Sequence, residues 1–327
     1  MNIQPLIEKI AREVERRVLP GRPGAYRRYL DDGSNPYGCA DAANILYTIG
    51  RVPRDPAYRA ACVAELRKFQ EPATGYFREE PQTHHLYHTA AHCAAALEIY
   101  DALLLYPMTA LAEFRTPEGI TRFLETMKDR ARTAMYGHTG AGVFAALLLS
   151  GHHDPAWQDA YFNWLADRCD PEYGLGIPGI SPEPRDLTTE LIHWFHFLFN
   201  FHACNRPIPH PEKMLDTCID LFKSAEFQSR VNCKCQFIEI DWCFCMNRAS
   251  RQTSHRFAEV RELLRKEMRL IVDFLTSKPE IEDLPCGNDL HTIFGMTCAL
   301  SELQIALPGE MKTDVALRNV LDRRPFI

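Results

Sequence analysis

Apolar residues recur along the chain three or four positions apart, while the alternating Val, Ile or Thr runs that mark strands are nearly absent. The pattern predicts two kinds of helix. Segments rich in Ala, Gly, Cys and Ser, apolar nearly all round, fall at 40–50, 87–100, 137–151, 189–200, 239–250 and 290–304. Helices with one charged face alternate with them at 2–18, 56–69, 117–134, 155–168, 211–225 and 255–276. A helix that is apolar all round belongs inside, and one with a charged face belongs outside.

The small-residue segments keep a spacing near 50 residues: His88 and His138 share a phase, as do Thr89, Thr139 and Thr189, then Asp241 and His291, and Asp41 lies 200 before Asp241. Six inner–outer hairpins follow, none able to bury its apolar face alone. This predicts an all-α fold, an (α/α)6 toroid forming a single domain over 1–327, with an open solenoid as the structural competitor. The segments 69–77 and 169–176, each with Pro followed by Gly, are turns.

Composition narrows the function classes. The 327 residues are 46% hydrophobic, enough for a substantial core. A net charge of -6 without a basic block argues against a nucleic-acid or anionic-membrane partner. Leu191 to Cys204, the longest aromatic-apolar stretch, is interrupted by His193, His196, Asn200 and His202, so no membrane span is expected. The twelve Cys lack the spacing of a disulfide scaffold, and the N-terminus has no apolar signal segment; both suit a cytoplasmic protein with reduced thiols.

In a toroid, one end of every inner helix opens on a common mouth, so polar residues at those ends converge from distant parts of the sequence. The expected site residues are Cys39, Asp41, His85, Tyr87, His88, His92, His138, Glu190, His193, Asp241, Cys243, Asp289 and His291. Trp194 and Trp242 are candidates to line a substrate chain or sugar ring. Catalytic roles are expected of Asp241, His291, His88, His138, Glu190 and His193, and a substrate-binding role of Asp41.

The segment around Asp241-Trp242-Cys243, together with His291-Thr292, resembles the toroidal superfamily of protein prenyltransferase β subunits and class II terpene cyclases. There an Asp-x-Cys pair opens one inner helix and a His-Thr opens the next. The resemblance implies a zinc site at Asp241, Cys243 and His291, with a fourth position left for substrate. It also implies substrate binding by Arg230 and Lys234, which loosely echo a diphosphate-binding Arg and Lys. Prenyltransferases of this fold work with a helical second subunit; the sequence leaves a partner subunit open. The cyclase acid motif Asp-x-Asp-Asp is matched as Glu239-Ile240-Asp241-Trp242, so Asp241 is alternatively a general acid if burial raises its pKa.

Other readings compete. His85 and Tyr87, in a stretch resembling the site of polysaccharide lyases on the same architecture, make an alternative proton-transfer pair for an oligosaccharide substrate, and a carboxylate pair would suit hydrolysis. His85, His88 and His92 share a helix face that suits a metal or a core. Glu190 and His193 have di-iron spacing, and Cys233, Cys235, Cys243 and Cys245 suit buried thiols or a structural zinc. Asp241 and His291 could equally be a hydrogen-bonded pair joining two helices. A peptide-binding scaffold is the non-enzymatic reading, disfavoured by inner helices rich in Ala, Phe, His and Cys.

Overall fold

A computed structural model describes residues 1–127, 135–180, 185–231, 237–285 and 287–326. Among them it is helical, with isolated bridges and no strand. The inner set is α2 (Pro36–Thr48), α4 (Leu86–Ile99), α6 (Tyr136–Leu149), α8 (Leu187–Ala203), α11 (Ile238–Ala249) and α13 (Leu290–Ala306). The outer set is α1 (Gln4–Arg16), α3 (Pro56–Lys68), α5 (Pro117–Thr126), α7 (Pro155–Arg168), α9 (Pro211–Lys223) and α12 (Phe257–Thr276). Two short helices, α10 (Ala225–Val231) and α14 (Val320–Arg323), lie outside the expected pattern.

Four outer helices begin where an Xaa-Pro pair starts them, at Pro56, Pro117, Pro155 and Pro211. Proline's fixed φ and missing N–H suit a first helical turn. Asp55, Thr116 and Asp154 add side-chain caps. The helix expected at 40–50 starts earlier, at Pro36, because Asn35 Oδ1 accepts from the Tyr37 and Gly38 amides at 2.8 and 3.2 Å. That extension brings Tyr37 into the interior.

Each inner helix packs on the next: α2 on α4, α4 on α6, α6 on α8, α8 on α11, α11 on α13, and α13 on α2. The outer helices lie behind them, α3 on α2 and α4, α9 on α11, and α12 on α13. Small residues permit the close inner contacts. A Cβ on Gly137 would sit 2.4 Å from the His193 carbonyl oxygen, and one on Gly142 would sit 2.8 Å from the Tyr87 backbone. Inner and outer layers are joined by large rings. Phe144 stacks on Trp157 and Tyr161 at 4.4 and 4.0 Å, and Trp242 Nε1 donates to the Cys218 carbonyl at 2.8 Å. Every residue of α11 is buried. No helix is long and apolar enough to cross a membrane among the described residues.

Candidate functional site

The N-terminal halves of α2 and α4 and the first turn of α13 bring together a carboxylate and two imidazoles. Asp41 Oδ1 lies 2.9 Å from His92 Nε2 and 2.9 Å from His291 Nδ1, and all three side chains are buried. Burial opposes ionisation of Asp41, but His291 and His92 override it and hold the carboxyl below the usual carboxylate range. His92 is pulled down to about 4 by burial, against the pull of Asp41. Asp41 Oδ2 and His92 Nδ1 remain buried without partners. At the start of α13, Asp289 caps the His291 amide at 3.0 Å and receives the Arg28 guanidinium through two bonds of 2.8 Å.

A second group lies beside the first. His88 of α4, His138 of α6 and His196 of α8 have ring centroids 4.5 Å (His88–His138) and 4.4 Å (His138–His196) apart. His88 Nδ1 meets the Tyr37 hydroxyl at 2.6 Å, and His196 Nδ1 donates to the Ile192 carbonyl at 2.7 Å. Burial and the neighbouring imidazoles hold all three rings well on the neutral side, His196 down to about 3. His84 stacks on Tyr37 at 4.1 Å and on His88 at 5.1 Å, linking the two groups at their rim. From the other end, the Phe326 ring rests 4.8 Å from His88. In each group one nitrogen or oxygen per residue lies within 4.8 Å of the others, so both groups could hold a metal ion.

The expected zinc ligands do not assemble. Asp241, Cys243 and His291 do not come together as a group that could hold an ion. His291 Nδ1 is engaged by Asp41, and burial pushes the Cys243 thiol up, further from the thiolate a metal needs. The donor set therefore does not fit zinc. Nor do Asp241 and His291 pair: both oxygens of Asp241 are buried without a hydrogen-bond partner, and burial together with Glu239 pushes its carboxyl well above the usual range.

The other expected residues fall as follows. Glu190 accepts from the Tyr136 hydroxyl at 3.0 Å, and a Cβ on Gly176 would lie 1.9 Å from the same oxygen, so a glycine makes room for it. His193 packs on Tyr136 at 4.3 Å and is lowered to about 4 by burial. Trp194 and Trp242 are sealed at 0% exposure, and Trp242 packs on Phe222 of α9 in the seam between layers, so neither lines an open mouth. His85 Nδ1 accepts from the Tyr87 amide at 3.2 Å, while the Tyr87 ring turns to Tyr76, Phe114 and Phe123, away from the histidine groups. Cys243 and Cys245 are buried free thiols; Cys233, Cys235, Lys234 and the Arg230 side chain lie outside the described residues.

Tyr37 and His196 are the functional candidates that the repeat phase passed over. Tyr37 lies before the expected helix start, and His196 lies well past the opening of its helix. The signal for His196 was its polarity within an aromatic run. A cavity of about 1010 Å³ opens at the opposite, C-terminal ends of α4, α6 and α8, lined in part by Tyr106, Leu148, His202 and Arg324. Comparison of the chain with protein-family models, with curated proteins and with solved structures finds no match.

Proposed function

We propose that the chain is an (α/α)6 toroid enzyme of the prenyltransferase and terpene cyclase type, working on a small apolar substrate with Asp241 as general acid. The observation that carries this reading is the Asp241 carboxyl, fully enclosed, bonded through neither oxygen, and pushed toward its neutral form by burial and by Glu239. An unsatisfied buried polar group costs about 1–3 kcal/mol, which packing alone would not retain. A proton donor to a carbon–carbon double bond must be such a group: dry, neutral and unshared. The packing of the inner helices in sequence order, with α13 returning to α2, supports the toroid. Phe244, three residues after Asp241 on α11, packs with Phe195 and Phe199 of α8 at ring-centroid distances of 4.4–5.8 Å, which keeps this part of the interior apolar.

Protonation of an alkene by Asp241 uses the π electrons to form a C–H bond and leaves a carbocation and the Asp241 carboxylate; loss of a proton from an adjacent carbon to that carboxylate re-forms a double bond, restores the acid and gives a product of unchanged mass. The test is incubation with polyprenyl alkenes and with isoprenoid diphosphates, followed by mass spectrometry and chromatography for isomerised product. Asp241→Asn should abolish turnover with helicity unchanged, and should remove the infrared carbonyl band of a buried protonated carboxyl. Turnover retained in Asp241→Asn, or no such band in the parent protein, would overturn the assignment.

A further inference from the structure

The His88–His138–His196 group has no role in proton donation by Asp241, and its geometry differs in kind from that of the Asp41 group. In the Asp41 group both imidazoles turn a nitrogen onto the same carboxylate oxygen at 2.9 Å, a self-contained hydrogen-bonded arrangement. In the histidine group no hydrogen bond joins the three rings among the described residues, although their nitrogens lie within 4.8 Å. Two of the rings are anchored by Nδ1, one to a backbone carbonyl and one to a tyrosine hydroxyl. Ligating histidines are commonly oriented this way, by a bond from the nitrogen that does not touch the metal. The third ring, His138, is partly exposed, makes no hydrogen bond, and has Nδ1 buried without a partner.

We infer that His88, His138 and His196 form a three-histidine site for a divalent transition-metal ion, with zinc the preferred occupant, and that Tyr37 is its positioning residue. Three neutral imidazoles supply the ligand type that zinc takes in open, solvent-reaching sites, at Zn–N distances of about 2.0–2.1 Å. Tetrahedral bonds of that length place ligand nitrogens about 3.4 Å apart, so three rings already within 4.8 Å need only side-chain rotation to close on an ion. Each ligand comes from a different inner helix, α4, α6 and α8. The exposed side of His138 leaves the fourth position to water or substrate.

The site is independent of Asp241, and the experiment keeps the two apart. The full chain, stripped with chelator, is titrated with Zn2+ and with Co2+, following bound metal by mass spectrometry and the visible absorption of tetrahedral cobalt. One ion per chain is expected, with unchanged binding in Asp241→Asn and in His153→Ala, which removes an exposed histidine that belongs to neither group. His138→Ala should lose at least about 100-fold in affinity, and Tyr37→Phe about 10-fold or more, as outer-shell partners usually do. Circular dichroism confirms that each variant is folded; should His138→Ala not fold, His138→Gln replaces it. Absence of binding by the parent protein, binding unchanged by the His138 substitution, or binding lost instead with Asp41→Asn would each overturn the site.

Discussion

Acid should unfold the metal-free protein at an unusually high pH, and the buried histidines set the size of the effect. His92 and His193 are 0% and 3% exposed, and burial lowers each from an ordinary value of 6.5 to about 4. In the unfolded chain both take up a proton as pH falls through 6.5; in the folded protein both stay neutral down to about 4. Protons therefore bind the unfolded state preferentially, so stability is full above pH 6.5 and is lost as pH falls toward 4. Each unit is worth 1.36 kcal/mol, so each residue withdraws about 3 kcal/mol by pH 4. His84, His88, His138 and His196 are shifted the same way. Asp41, held below its ordinary 3.8, keeps its contribution throughout this range and loses it only in stronger acid. Against a total of about 5–15 kcal/mol, two histidines alone remove much of the folded state's advantage. Urea melts of chelator-treated protein, followed by circular dichroism from pH 7.5 to 4.5, measure the slope and hence the protons taken up on unfolding. Several protons per molecule are expected near pH 5, and about one fewer in His193→Gln. Stability constant to within about 1 kcal/mol between pH 7 and pH 5 would refute the buried neutral imidazoles.

Two further substitutions test the packing between inner helices. Arg248 and Glu302 meet at 2.6 Å with side chains 2% exposed, so Arg248→Met should cost about 3–5 kcal/mol in urea unfolding by leaving a buried carboxylate with only the Asn247 and Asn319 amides and no cation, while Arg248→Met/Glu302→Gln should recover a large part. Gly137→Ala places a methyl 2.4 Å from the His193 carbonyl oxygen, so it should destabilise by about 1–3 kcal/mol in spite of alanine's better helix propensity, read as a lower Tm. An unchanged Tm would mean that α6 and α8 can separate without loss. Both measurements leave Asp241 and the histidine group untouched in sequence.

The alternation of small-residue and charge-faced helices was legible because burial imposes composition directly. A helix enclosed on all sides, as α11 is, has no room for a solvated face, and the Xaa-Pro starts of the outer helices are local chemistry that needs no partner. The period also brought His88 and His138 into contact, since equal phase on neighbouring inner helices means equal height. It did not choose partners for His291. Asp241 and Cys243 precede it by one repeat and share its resemblance to a zinc motif, yet its nitrogen meets Asp41, 250 residues away in sequence, because α13 packs on α2 as well as on α11. The rotation of each helix about its own axis, which decides which polar side chain faces which, is fixed by contacts on several sides at once. Sequence spacing alone determined the elements and their layers; the tertiary packing decided that Asp241 stands alone, that Tyr37 reaches His88, and that His196 joins a group from which the repeat phase had left it out.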